Sequence, residues 1–343
     1  MIDVKTIRVS LPLKTKFTVA RGEADHKINV IAILNNRYSG EAAASVQYGP
    51  DIETIEAGLR KGIGFLKRRK KFNLKTLDAI NGYNIHPIAR SALMAMVLNY
   101  LSGESRRYPW EVLNLGTPVG IRNSITISID EPARVIKAIN ASEYPIVKIK
   151  MGSDYDETLL TQLDQIGGKE IRVDANGGWS SEKAEEMIFH LSKHGISVIE
   201  QPTDIAHIAD WQHLKGKSEN VELILDEEMN SLEDFEQYSE FVDGVNIKME
   251  KSGGILEAIR IAHKARDEKK KVMLGCMVES SVGIAQSVYM SSLADYHDLD
   301  APQLLVDDIA QGITYDKETI HVDHEIIGGP SLKRDVIEKY IQE

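Results

Sequence analysis

The sequence predicts an α/β protein whose main part is a parallel sheet closed into a barrel, preceded by a separate α+β unit. Three observations predict it. Short apolar runs that end in a charged residue recur between Lys148 and Lys248, finishing at Lys150, Asp174, Glu200, Asp226 and Lys248, with steps of 24, 26, 26 and 22 residues. That period accommodates one strand, one helix and two short loops, the repeating unit of such a barrel. The first 115 residues lack this rhythm. Finally, a chain of 343 residues exceeds the roughly 250 that a barrel commonly needs, which leaves room for a second unit.

The first unit reads as alternating strands up to about Glu41, then helical segments around Ile52–Lys70 and Ala89–Leu101. The barrel starts with Ser124–Ile129 as a strand and Glu131–Ala141 as its helix. Strands follow at Ile146–Lys150, Ile171–Asp174, Ser197–Glu200, Leu223–Asp226, Gly244–Lys248 and Val272–Met277, and an eighth around Leu299–Val306. Helices at Ser181–His194, Ile255–Lys269 and Gly283–Leu293 separate them, with Ser180 or Ser181 as the cap of the first. After about Gly312 the tail reads as short strands that return to the first unit.

Composition excludes several function classes. A hydrophobic fraction of 42% and a charged fraction of 27% are those of an ordinary globular protein. The net charge of −11, from 41 basic and 52 acidic residues, provides no basic field to recruit nucleic acid. The basic clusters Lys67–Lys71 and Lys269–Lys271 read as solvated helix ends. A single cysteine, Cys276, rules out an internal disulfide and suits a reducing compartment. The N-terminus lacks the pattern of a signal peptide, and the apolar stretch Ile88–Leu101 is too short to span a bilayer, so a cytoplasmic protein with no membrane partner is expected. No Gly-x-Ser-x-Gly elbow, Gly-x-Gly-x-x-Gly or Walker loop is present, which leaves serine hydrolysis and nucleotide cofactors unsupported.

In a barrel of this kind the strand C-termini carry the chemistry. Asp174, Glu200 and Asp226 each close a strand, and three carboxylates converging there repel one another unless protons or a cation neutralise them. A hard divalent metal such as Mg²⁺ is the economical solution, although a lone carboxylate at such a position is often only a helix cap. Lys148 and Lys150 are two apart on one strand and so share a face. Mutual repulsion with partial burial would lower the pKa of such an amine toward that of a base; two solvated lysines at a strand edge are the alternative. Lys248 comes from the other side of the ring. Facing amines suit removal of a proton from one side of a carbon and delivery to the other, with the metal stabilising an enolate formed from a bound carboxylate.

These residues carry a resemblance. Lys148-Ile149-Lys150, Asp174-Ala175-Asn176, Ile199-Glu200-Gln201-Pro202, Asp226-Glu227, and Asn246-Ile247-Lys248 followed by Ser252-Gly253-Gly254-Ile255 resemble the enolase superfamily, in its muconate-lactonizing-enzyme-like branch, over nearly the whole chain. The resemblance implies a modified TIM barrel, (β/α)7β, at 116–312, and an N-terminal α+β capping domain at 1–115 completed by the tail 313–343. It implies one Mg²⁺ per subunit on Asp174, Glu200 and Asp226, with Lys150 and Lys248 as the acid/base pair and Lys148 tuning Lys150. Within the branch, Gly275-Cys276-Met277-Val278-Glu279-Ser280 and Asp298-Leu299-Asp300 resemble the dipeptide epimerases, best known as L-Ala-D/L-Glu epimerases. That implies a dipeptide substrate, with Asp298 and Asp300 on its α-ammonium and Cys276 and Met277 lining the site. It also implies a cap loop at Phe17–Gly22 whose Arg21 binds a glutamate carboxylate, and a role in murein peptide recycling; homo-oligomerisation is left open.

Two departures bear on the substrate. Glu228 stands where many relatives carry serine, and the second cap segment, Glu41–Pro50, lacks proline-rich and threonine-glycine features associated with the epimerases. Rival readings are a dipeptide epimerase of other side-chain specificity, cycloisomerisation or β-elimination as in muconate lactonization or o-succinylbenzoate synthesis, and a non-catalytic relative that only binds a dipeptide or metal.

Overall fold

The computed structural model of the chain describes residues 2–19, 22–44, 50–215, 218 and 220–340. Alternation of apolar and polar residues builds an antiparallel three-stranded sheet, β1 (Val4–Val19), β2 (Gly22–Leu34) and β3 (Tyr38–Ala42), in the order β1-β2-β3. The helix Ile52–Lys67 follows, its first turn capped by Asp51, which accepts from Thr54 N at 2.8 Å. The helix Pro87–Ser105 is apolar on nearly every side because it lies inside the molecule. Its backbone meets β3 at Gly40, where a Cβ would come within 2.0 Å of Ala92 O.

A short strand, β4 (Ile121–Arg122), leads into an eight-stranded sheet: β5 (Ile125–Ile127), β6 (Ile146–Lys150), β7 (Glu170–Asp174), β8 (Val198–Glu200), β9 (Glu222–Leu225), β10 (Gly244–Ile247), β11 (Lys271–Gly275) and β12 (Tyr296–Asp298). Neighbours pair in parallel in sequence order. A parallel bridge between Asn123 and His297, with Ser124 N donating to His297 O at 3.2 Å, brings the first and last strands together. The helices between strands bury apolar faces on this sheet; Ser180 caps Ser181–Lys193 through Lys183 N at 3.2 Å, as its position before the apolar period predicts. This is the closed parallel barrel that the strand period predicts, in the modified TIM-barrel form that the resemblance implies.

The eighth strand differs from its expected place. It is Tyr296–Asp298, whereas 301–304 is a short helix with Pro302 in its first turn. Pro302 lacks a donor for a parallel ladder and fits a first helical turn, whereas Tyr296-His297-Asp298 pairs with Met273–Gly275 despite being too polar to stand out as a strand. In the tail, Ile313–Tyr315 and Thr319–Val322 form a sheet with β4, and Ser331–Leu332 pairs with Ala310–Gln311. Gly328 N donates to Ser102 Oγ of the central helix at 3.0 Å.

Candidate active site at the strand C-termini

Parallel pairing in register aligns the strand ends: Lys150 lies beside Asp174, and Asp174 beside Glu200. Because every strand points the same way, residues that close separate sequence repeats become neighbours around one rim. Oxygens of Asp174, Glu200 and Asp226 all lie within 4.8 Å of one another, and all three residues are buried. Among the described residues this is the one such group of metal-ligating side chains.

Amines surround the triad. Lys150 Nζ is 2.5 Å from Asp174 Oδ2, and Lys148 Nζ is 3.1 Å from the same oxygen, 2.6 Å from Glu200 Oε2 and 2.7 Å from Asp298 Oδ2. Lys248 Nζ is 2.6 Å from Asp226 Oδ2, and Lys251 Nζ is 2.7 Å from Asp226 Oδ1. Lys150 ends β6 and Lys248 directly follows β10, four strands away in a ring of eight, which sets the two lysines on opposite sides of the barrel. Gly275 makes room for the second: a Cβ there would lie 2.9 Å from Lys248 Cε and 2.5 Å from Asn246 Oδ1.

Burial, repulsion and the amines divide the protons unequally. Glu200 is pushed up to about 8 by burial and by Asp174, which outweigh Lys148 even at 2.6 Å. Burial also opposes charge on Asp174, yet Lys150 and Lys148 bring it down to about 2, and Lys248 and Lys251 hold Asp226 well below the usual carboxylate range. Lys148 corrects an expectation. Burial disfavours its charge, but Asp298, Glu200 and Asp174 prevail and hold its pKa well above that of a free lysine. Contacts with carboxylates, not repulsion by Lys150, decide its state, so it is a fixed cation shared by three acids.

The donor set fits a hard divalent cation. Three carboxylates from three strands supply hard oxygen ligands, and Glu200 Oε2 accepts no well-aligned hydrogen bond although it is buried. Neighbouring side chains orient these ligands. Asn246 Nδ2 donates to Glu200 Oε1 at 2.9 Å, and Gln201 Oε1 accepts from Asp226 N and Glu227 N at 2.9 and 3.1 Å. Asn176 and Gln201 adopt left-handed backbone, φ 46° and 41°, one or two residues beyond Asp174 and Glu200. Such strain in side-chain-bearing residues persists where surrounding contacts enforce it, and Gln201 is enforced by four hydrogen bonds. Glu228 takes one of them, accepting from Gln201 Nε2 at 3.1 Å.

On the far side of Lys148, Asp298 and Asp300 are both buried, so they form no solvated acidic loop. Asp298 accepts from Ser124 Oγ at 2.8 Å as well as from Lys148, which holds it below its ordinary pKa against burial. Asp300 accepts from Thr126 N at 2.7 Å, and burial beside Asp298 pushes it up to about 7. The Cys276 thiol donates to Asp298 O at 3.2 Å; burial and nearby acids raise its pKa well above that of a free thiol, as an inert cysteine requires. Met277 is partly buried beside it, with its N donating to Glu279 Oε1 at 3.3 Å. Arg21 lies outside the described residues.

The strand-end pattern picks out the triad and the three lysines but not Lys251. Its signal was present: three residues beyond Lys248, in the short helix Met249–Ser252, it follows the turn back to Asp226.

Residues 131–325 match the Enolase C-terminal domain-like family. A hydrophobic dipeptide epimerase of a Flavobacteria bacterium is 37% identical over 253 residues, covering 70% of this chain and 72% of that protein. An L-Ala-D/L-amino acid epimerase of a Maribacter species is 29% identical over 321 residues, covering 91% and 94%. Among solved structures, a dipeptide epimerase from Cytophaga hutchinsonii, complexed with Mg and the dipeptide D-Ala-L-Val, superposes with a TM-score of 0.87 at 22% identity, covering 99% of this chain and 98% of that one. The chain belongs to the enolase superfamily, in the muconate-lactonizing branch that contains the dipeptide epimerases. No helix among the described residues is long and apolar enough to cross a membrane.

Proposed function

We propose that this protein is a Mg²⁺-dependent dipeptide epimerase that inverts the α-carbon of the C-terminal residue of its substrate, with Ala-Glu as the leading candidate. The observation that carries the reading is the pair of amines, Lys150 and Lys248, on opposite sides of one ring and each on a carboxylate of the same acidic triad. A single base would exchange a proton on one face; inversion needs a donor on the other.

Asp174, Glu200 and Asp226 would hold the cation. When bound, it supplies Lewis-acid stabilisation of the negative charge that grows on the substrate carboxylate as the α-proton leaves. Lys150 takes that proton as a neutral amine from one face, and Lys248 as an ammonium returns one to the other; the reverse reaction exchanges their roles. Lys148 remains a cation throughout and keeps Asp174, Glu200 and Asp298 in place. Asp298 and Asp300 receive the dipeptide's α-ammonium beside Cys276 and Met277, a contact that muconate-type substrates cannot make because they carry no ammonium. In this reading residues 1–115 with the tail 313–343 cap a barrel at 116–312, and the enzyme works in the cytoplasm on peptides of murein origin.

The 37% identical relative, a hydrophobic dipeptide epimerase, supports a second reading of the side-chain preference. Arg21→Met separates the two: it leaves turnover of hydrophobic dipeptides intact and removes turnover of Ala-Glu if Arg21 binds the glutamate carboxylate. The test of the activity itself is a proton NMR time course with Mg²⁺ in D₂O and a dipeptide library that includes L-Ala-L-Glu. Deuterium entering the C-terminal α-position while a second diastereomer grows in supports epimerisation. No exchange on any dipeptide refutes it.

A further inference from the structure

Outside the acidic triad, buried polar groups also converge where β2 and β3 meet the loop after β11. Asn29 and Glu41 are fully buried on these adjacent strands. Asn29 Nδ2 donates to Glu41 Oε1 at 2.7 Å and to Val278 O at 3.0 Å, while its Oδ1 accepts from Ala44 N at 3.2 Å. Glu41 Oε2 accepts from Ser280 N and Gly283 N, both at 3.1 Å, and makes a short contact with Ser280 Oγ. Those amides open the helix Ser281–Tyr289. Free N–H groups and the helix dipole favour an anion there, and normally the helix's own first residues supply it. Ser280 Oγ caps Val282 N in the ordinary way and Asp308 accepts from Ser281 N, but the carboxylate on Ser280 N comes from 239 residues away.

We propose that Asn29 and Glu41 are positioning residues that set the Cys276–Ser280 segment against the substrate site from the N-terminal sheet. The proposal rests on the reading above that Cys276 and Met277 line the dipeptide site. One asparagine side chain grips both partners: Ala44, in the segment Glu41–Pro50 that sequence resemblance assigns to the cap, and Val278, in the loop from the barrel. On the barrel side Cys276 Sγ donates to Asp298 O at 3.2 Å at the segment's start, while Met277 N donates to Glu279 Oε1 at 3.3 Å within the segment itself. Losing the Asn29–Glu41 pair therefore frees the segment's far end. The loss reaches substrate binding before it reaches the lysines, which sit on β6 and just after β10.

Cys276, the single cysteine, reports on the segment without any substrate. The full-length protein with Mg²⁺ is labelled with a thiol reagent at about pH 8, where burial suppresses the wild-type thiolate and a freed thiol reacts. Glu41→Gln keeps one acceptor oxygen but turns the other into an amide NH2 donor, so donors on that side lose their partner. Labelling is expected to accelerate about tenfold or more, because an opened segment loses the burial that suppresses the thiolate. With a turned-over dipeptide, KM is expected to rise about tenfold while kcat stays within about threefold, the signature of lost binding and not of lost chemistry. Asp51→Ala, which removes the cap of a helix elsewhere in the N-terminal unit, should change neither quantity. If Glu41→Gln does not fold, Asn29→Ala decides by the same labelling, since it leaves the helix its carboxylate. Unchanged labelling in a folded variant overturns the proposal. Accelerated labelling in a protein that turns over no dipeptide supports the positioning and refutes the assigned substrate.

Discussion

Replacing Lys148 by Met removes one amine from a place where three carboxylates depend on it. Its Nζ lies 2.6 Å from Glu200, 2.7 Å from Asp298 and 3.1 Å from Asp174, and its side chain is only 2% exposed. Methionine approximates the length of the stem but neutralises nothing. Breaking a buried pair by deleting one partner typically costs ~3–5 kcal/mol, because the surviving charges stay buried. Unfolding entropy of about 2.1 cal/mol/K per residue, over this chain, amounts to roughly 0.7 kcal/mol/K, so Tm should fall by ~4–7 °C. The assay is thermal unfolding followed by circular dichroism, first with EDTA. Excess Mg²⁺ at about 100 times its Kd should raise the wild-type Tm by ~4 °C, from about 2.7 kcal/mol of linkage. The variant should gain more than the wild type, since the cation takes over a neutralisation that the lysine no longer provides. A variant that melts with the wild type in EDTA would refute the claim that Lys148 holds the acids together. A Mg²⁺ shift no larger than the wild-type one would remove the link between that lysine and the metal site.

Other perturbations probe the same rim. Lys248→Ala should lower epimerisation by about 10²–10⁴-fold while deuterium still enters one diastereomer of the dipeptide through Lys150; retained inversion in the NMR time course would sink the two-base scheme. Gly275→Ala puts a Cβ 2.9 Å from Lys248 Cε and 2.5 Å from Asn246 Oδ1, and a displaced lysine should cost kcat up to about 10²-fold with little change in Mg²⁺ affinity measured by titration calorimetry. Because the Glu200 carboxyl holds its proton up to about 8 without metal, Mg²⁺ must displace that proton, and its apparent affinity should rise about tenfold per pH unit and level off above pH 8. Calorimetry in two buffers of different ionisation enthalpy counts the released proton. The same raised pKa sets the sign for stability in EDTA: the contribution of Glu200 is fully present below about 4.5, its ordinary value, and is lost as pH rises through about 8. Chemical denaturation of Glu200→Gln beside the wild type should show that slope disappear.

The barrel and the identity of its chemical groups are legible in the amino-acid sequence alone. Charged residues ending apolar runs every 22–26 residues can be read without coordinates, because the repeat length dictates one strand and one helix, and a parallel closed sheet then puts all strand ends on one rim. Asp174, Glu200, Asp226, Lys148, Lys150 and Lys248 follow from that logic. Where local pattern was weak the reading slipped: Tyr296–Asp298 is too short and polar to announce itself as the last strand, and its neighbour Leu299–Val306 is more apolar yet contains Pro302. The protonation of Lys148 was beyond the sequence, since it depends on three carboxylates that arrive 26, 52 and 150 residues later and come within about 3 Å only in the folded chain. The anchoring of Asp226 by Lys251 and Gln201, and the Glu41 carboxylate on a helix that starts 240 residues downstream, were equally out of reach. Periodicity records which face of an element is buried, but it carries no information on which distant side chain will complete a charge or a hydrogen bond. Packing decides that.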